Sequence, residues 1–218
     1  MDVAELLARR HCVKAFDAER KIPEETMAKL REALRLSASS VNTQPWHVVV
    51  AAGAAGKERM ARAASGPYAY NAPKILAASH VVALCARRDL DSAALEAVLA
   101  QEGRDGRFPR PGDAERQRAS RESYVALHRD ELQDLPHWMG KQVYLQLGTL
   151  LLAAAALEVD ACPMEGFDPD VLSRELGLEA KGLRPVVMVA LGYRSAEDWN
   201  AALPKSRLSA ETVFTFLD

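Results

Sequence analysis

The chain has 218 residues, a formal net charge of −2 and 49% hydrophobic residues, which is enough for one sizeable core and one domain. Its near-neutral balance forces no basic face and sets nucleic acid aside as a partner. Three cysteines in unrelated contexts give neither a disulfide framework nor a paired metal motif, and the acidic start (Asp2, Glu5) has no long apolar run behind it, so we expect reduced thiols in a cytoplasmic protein without membrane attachment.

Val3, Leu6 and Leu7 have helical spacing and lead into a cationic run, Arg9-Arg10-His11-Cys12-Val13-Lys14-Ala15-Phe16. Pro23-Glu24-Glu25 opens a second helix, with proline and acids in the first turn where the helix dipole favours them. Met27, Leu30, Ala33 and Leu34 form its apolar stripe. The stretch 37–47, Ser-Ala-Ser-Ser-Val-Asn-Thr-Gln-Pro-Trp-His, is too polar for a core segment. Its hydroxyls and amides suit a helix cap and turn as well as they suit a ligand. The near-continuous apolar run 46–52 reads as a strand buried on both faces. A helix over 54–64 and a turn at Ser65-Gly66-Pro67 follow, and Ile75-Leu76 lead into a strand over 79–86.

Residues 91–102 read as a helix, and 103–112 have the glycine and proline density of a surface loop. In the charged helix over 114–129, Tyr124 is out of place on a solvated face. The longest apolar helix spans 137–157 and is hydrophobic on every side over 150–157. Its uncharged run, 142–157, falls short of the about 18–20 residues of a membrane span. We therefore expect a helix buried all round that also packs on a second subunit. After a linking segment, 161–167, come a capped helix over 168–176 ended by Gly177 and a third strand over 185–192. The tail, about 202–218, carries Leu203-Pro204-Lys205-Ser206-Arg207-Leu208 and an alternating strand over 212–216, expected to pair with another subunit. The order of elements is that of an α+β protein with a small central sheet and long helices on its faces.

Three polar clusters, 9–16, 37–47 and 203–208, supply hydroxyls, amides and at least four cations with no acidic partner nearby. That is the inventory for an anionic ligand with a hydrogen-bonding heterocycle. No metal-ligand spacing is present, since His128 and His137 lack a Cys or carboxylate partner at helical spacing. The dinucleotide fingerprint GxGxxG is also missing.

Five motifs, RRHCVKAF, SSVNTQPW, YNAPK, PMEGFD and LPKSRL, stand in the order and at the spacings of the FMN-dependent NAD(P)H nitroreductase family. The chain resembles its oxygen-insensitive, dihydropteridine-reductase-like branch over about 3–208. The resemblance implies a single nitroreductase-like domain with a small, mainly antiparallel sheet flanked by helices. It also implies a helical excursion, about 91–135, over the active site. The C-terminal arm would donate a fifth strand to the partner in an intertwined homodimer with two FMN sites. Ping-pong transfer of electron pairs from NAD(P)H to nitroaromatics (nitro to nitroso to hydroxylamine) or quinones is the implied activity. A flavin, dihydropteridine or dehalogenase-like reductase is the alternative on the same fold.

By the same resemblance, Arg10, Lys205, Arg207 and Ser39 surround the phosphate and ribityl chain, with Ala38, Ser40 and Asn42 in the same loop. His11, Cys12, Lys14, Asn71 and Lys74 follow the ribityl and pyrimidine side. Lys14 and Lys74 stabilise the negative charge of the reduced flavin, a fixed-cation effect, and Glu165-Gly166 offer backbone amides to N5. No acid–base residue is expected, because the cofactor carries the chemistry. Val41, Tyr68, Tyr70, Phe108 and Tyr124 are the substrate-side candidates. Cys12 stands where a serine is common, Ala38 where a proline is, and Val41 where a threonine is. Tyr70 and Tyr124 stand where that branch has phenylalanines.

Overall fold

The computed structural model describes residues 2–217; Met1 and Asp218, the two ends of the expected domain, lie outside them. Helix α1 (Val3–Arg9) is capped by the Asp2 carboxylate, which accepts from the Ala4 amide at 2.8 Å. Helix α2 (Glu24–Arg35) starts behind Pro23 and buries Met27, Leu30 and Leu34 of the expected stripe, with Ala33 half-buried at its margin. The remaining helices are α3 (Ala54–Arg62), α4 (Ala72–Ala77), α5 (Ser92–Arg104), α6 (Asp113–Ala126), α7 (Leu135–Ala156), α8 (Pro169–Leu176) and the short α9 (Ala210–Val213). The strands are β1 (Trp46–Ala51), β2 (His80–Arg87), β3 (Asp160–Met164) and β4 (Leu183–Gly192), in one wholly antiparallel sheet of order β1-β2-β4-β3.

Alternation along the two central strands divides the core. Val82, Leu84 and Ala86 of β2 and Val187, Val189 and Leu191 of β4 face α2 and α7. Val81, Ala83 and Cys85 of β2 and Met188 and Ala190 of β4 face Met60 of α3, Ile75 of α4 and Leu172 of α8. A register shift at Leu84/Cys85 accommodates Pro185 opposite Cys85, a position where a proline in a central strand is tolerated.

Several expectations are corrected. The segment 161–167 is not merely a link, because most of it is β3, an edge strand read poorly from Asp-Ala-Cys-Pro-Met and specified by its pairing with β4. Ile75 and Leu76 belong to α4 and do not approach β2 in an extended form. Strand β1 is an edge strand, not one buried on both faces: His47 and Val50 are exposed, and no further strand of the described residues pairs with its outer side. The charged helix does reach past residue 129 as expected, though its last stretch, Leu127–Glu131, is wound wider than α6, and there His128 pairs with Asp134 at 2.6 Å and stacks on Trp138. Thr212 and Val213 lie in α9, and Phe214 to Leu217 are exposed and unpaired, since no free strand edge of the same chain receives them. Helix α7 buries Met139, Val143, Leu147 and Leu150 but leaves Tyr144 and Leu145 exposed, so within one chain it is covered on one side only. No helix of the described residues is long and apolar enough to cross a membrane.

Candidate active site

A hollow of about 850 Å³ opens at the β3 end of the sheet. Cys162 to Gly166, at the end of β3 and just beyond, line it together with Lys14, Trp199 and the group Tyr70, Asn71 and Lys74. The Gly66–Asn71 turn feeds directly into α4, and this brings Asn71 and Lys74 onto one face of a single turn of helix. Lys74 is buried and donates from Nζ to Asn71 Oδ1 (2.7 Å) and to the Tyr70 carbonyl (2.9 Å). Asn71 in turn donates from Nδ2 to the Gly166 carbonyl at 2.9 Å. Burial holds the Lys74 ammonium below its usual pKa, with Cys162 opposing and Lys14 reinforcing the shift.

Gly166 is required by space. A Cβ there would lie 2.4 Å from the Tyr70 hydroxyl and 2.9 Å from Asn71 Nδ2. The neighbouring Glu165 carboxylate accepts from the Tyr144 hydroxyl of α7. Burial and that carboxylate push the Tyr144 phenol up to about 12, so it remains a donor throughout the neutral range.

A second hollow, about 360 Å³, holds Arg10, His11, Cys12, Lys205 and Arg207. Lys205 Nζ donates to the Leu7 and Arg10 carbonyls at the end of α1, tying the tail to the first helix. The cationic clusters do have an acidic partner, contrary to expectation. It is Asp198, whose side chain is fully buried and whose two oxygens meet His11 Nε2 and the Lys14 amide, both at 2.8 Å. The segment from Arg10 to Lys14 therefore runs from one hollow to the other. Among the described residues, no group of three or more His, Cys, Asp or Glu side chains could hold a metal ion.

A sequence model described as "Nitroreductase family" matches residues 7–193. The chain belongs to the nitroreductase family. Two oxygen-insensitive NAD(P)H nitroreductases are similar over nearly their whole lengths. That of Enterobacter cloacae is 45% identical over 215 residues, and that of Salmonella typhimurium is 46% identical over 215 residues, with 99% of each chain covered in both pairs. The crystal structure of a putative nitroreductase in complex with FMN from Exiguobacterium sibiricum matches the fold with a TM-score of 0.82 at 23% identity, over 100% of this chain and 98% of that one.

The nitroreductase chain brings Lys14, Tyr70, Asn71, Lys74, Glu165 and Gly166 together in the cleft, and Arg10, His11, Cys12, Lys205 and Arg207 in the adjoining hollow. It does not bring Ala38, Ser39, Ser40, Val41 and Asn42 to either, and Tyr68, Phe108 and Tyr124 also stand outside both. The 38–42 turn packs instead on the helices of the opposite layer. The Ser40 amide donates to Gln142 Oε1 of α7, the Asn42 amide nitrogen to Glu102 Oε1 of α5, and Arg121 Nε of α6 to the Val41 carbonyl, at 2.8, 2.8 and 3.0 Å. Val41, Asn42 and Gln44 have φ of 42°, 55° and 44°. For a β-branched residue such as Val41 this is a strained conformation, one costing about 1–3 kcal/mol and held only where neighbours over-determine it. Helices α5 and α6 contribute no residue to the cleft of their own chain.

Sequence reasoning missed Asp198, Trp199, Tyr144, Cys162 and the buried pair Glu102–Arg121 (2.8 Å). The one signal available was Gln142 and Gln146, polar residues four apart on the buried stripe of an apolar helix. Glu102 and Arg121 lie in two charged helices where nothing local separates a buried charge from a solvated one.

Proposed function

We propose that the chain is an FMN-dependent NAD(P)H oxidoreductase reducing nitroaromatic and quinone-like acceptors two electrons at a time. One observation carries the reading: a cleft with two ammonium groups adjoins a guanidinium-rich hollow, and a single segment, Arg10 to Lys14, lines both. The donor set fits FMN. Arg10 and Arg207 present forked donors suited to a phosphate. Lys14 and Lys74 place fixed positive charge where a reduced ring system becomes anionic. Gly166 keeps the wall flat enough for a planar ring, because any side chain there would fill the space against Tyr70 and Asn71. When bound, FMN supplies the acceptance and release of hydride. The chain's own residues would bind it and neutralise it, in a cleft wide enough to admit nicotinamide and acceptor in turn. Glu165 holds Tyr144 and transfers no proton.

The working unit is a homodimer. Its support lies in what one chain leaves open: the outer edge of β1, the exposed Tyr144 and Leu145 of α7, and the exposed apolar tail Phe214–Leu217. The buried Gln146 Oε1 has no hydrogen-bond partner among the described residues, and Gln146 is one of the residues around a hollow of about 300 Å³ beside β1. A second copy supplies the turn 38–42 and the excursion bearing Phe108 and Tyr124, which sit too far from the cleft of their own chain to line it. The C-terminal arm of one chain then adds a strand to the other. Three unpaired thiols fit a cytoplasmic location. The Tyr70 hydroxyl at the cleft rim also suits a phenolic or pteridine acceptor, so dihydropteridine, free flavin and halogenated phenol belong in the acceptor panel.

The test is the purified protein under anaerobic conditions. A yellow dimer carrying one FMN per subunit, bleached by NADH or NADPH and restored by a nitroaromatic or quinone, is the expected result. A folded chain that neither retains nor binds FMN overturns the reading.

A further inference from the structure

We propose that Asp198 is a positioning residue that locks Lys14 and His11 in register, so that the two hollows present one frame to a single anionic cofactor. The inference rests on the FMN reading above and adds to it a residue that never touches the cofactor.

Two segments run side by side here, one climbing from Asp17 back to Cys12 and the other from Tyr193 on to Asn200. Their first rungs are backbone to backbone: the Asp17 amide to the Tyr193 carbonyl (2.8 Å) and the Ser195 amide to the Ala15 carbonyl (3.0 Å). Beyond Ala15 the backbones no longer bond to each other, and side chains take over. Asp198 Oδ1 accepts from the Lys14 amide at 2.8 Å, Asp198 Oδ2 from His11 Nε2 at 2.8 Å, and Asn200 Nδ2 donates to the Cys12 carbonyl at 2.8 Å. The residues that need fixing, Lys14 in the cleft and His11 and Cys12 in the cationic hollow, are those past the last backbone rung. Asp198 spans both, and its neighbours divide the same way: Trp199 lines the cleft and Asn200 the hollow.

The carboxylate is the required group. Arg10, Lys14, Arg194, Lys205 and Arg207 crowd this end of the molecule, and a buried anion with both oxygens occupied is held by charge as well as by hydrogen bonds. A carboxylate is acceptor-only, so it also fixes the His11 ring with the proton on Nε2 and Nδ1 as the remaining ring nitrogen. An asparagine keeps the shape and still accepts from Lys14. Its amide nitrogen, however, must donate to His11, which moves the imidazole proton to Nδ1 and removes the charge.

The experiment compares Asp198→Asn and Asp198→Ala with the wild-type protein in three measurements: FMN dissociation by fluorescence, the two-electron midpoint potential of the bound flavin, and histidine ring ¹⁵N shifts. For Asp198→Asn we expect the His11 proton to move from Nε2 to Nδ1 and FMN to bind about tenfold more weakly, the scale of a lost charge-assisted contact. For Asp198→Ala, which also frees the Lys14 amide, the reduced flavin loses more than the oxidised one. The midpoint potential then falls by about 30 mV, a further tenfold. Variants that melt earlier yet keep wild-type FMN affinity, potential and histidine signals would reduce Asp198 to a loop clamp. If Asp198→Ala does not fold, the isosteric Asp198→Asn decides alone through its FMN affinity and tautomer. A wild-type chain with no affinity for FMN overturns the underlying ligand reading instead, and with it the premise of this one.

Discussion

Gly166→Ala puts the geometry of the cleft under direct strain. The added methyl would sit 2.4 Å from the Tyr70 hydroxyl and 2.9 Å from Asn71 Nδ2, both impossible separations for a carbon. Tyr70 is 63% exposed and can swing outward at little cost. Asn71 is buried and cannot move without losing its bond to the Gly166 carbonyl and disturbing its contact with the Lys74 ammonium. A neutral hydrogen bond is worth about 0.5–1.5 kcal/mol net and one to a charged group about 1.5–3 kcal/mol, so the disruption amounts to about 2–4 kcal/mol. Most of it falls on the placement of Lys74, and FMN affinity should drop by at least tenfold, about 1.4 kcal/mol. Flavin retention through gel filtration and a fluorescence titration of the stripped protein measure it. Tyr70→Phe removes the nearest clash and leaves those with Asn71 Nδ2 and the Tyr70 ring carbon at 3.2 Å, so the double variant should recover little of the loss, a coupling read by a double-mutant cycle. Wild-type FMN affinity in Gly166→Ala would refute the reasoning, since Asn71 and Lys74 would then not be held as described.

Arg207→Ala should weaken FMN binding by about 1.5–3 kcal/mol with the fold intact, because Arg207 is exposed and its guanidinium, among the described residues, bonds only to the Ser206 carbonyl; unchanged affinity would make it a surface charge. Arg121→Met takes the close guanidinium from the buried Glu102, leaving it the Asn42 amide nitrogen at 2.8 Å and the Arg107 guanidinium at 3.9 Å, and should cost about 3 kcal/mol in chemical unfolding, the low end for a broken buried pair. The double variant Arg121→Met/Glu102→Leu should recover much of that loss in the same measurement. Tyr124→Phe should keep the rate of reduction by NAD(P)H and shift the ranking of nitroaromatics against quinones. The shift is about two- to tenfold in kcat/KM, the value of one neutral hydrogen bond, and stopped-flow separates the two half-reactions. Because Tyr124 is 46% exposed and outside the cleft of its own chain, that shift also requires a second copy, and an unchanged oxidative half-reaction would place it outside the channel.

By itself the sequence determined the elements whose signals are local. The stripe Met27, Leu30 and Leu34, the caps at Asp168 and Gly177, and the β-branched runs of β1 and β2 follow from periodicity and cap chemistry. The cations of the two hollows were legible because each motif keeps its chemistry within a few residues. The tertiary structure alone decided what depends on distant partners. Strand β3 exists through its pairing with β4 and not through its own propensity. The tail 212–216 has alternation, but a strand needs a partner edge, and the tail pairs with neither edge of its own sheet. Asp198 lies 184 residues from Lys14, and Arg121 lies 80 from Val41. A buried carboxylate and an exposed one are spelled identically, and only the packing around them separates the residue that frames the site from the ones that face solvent.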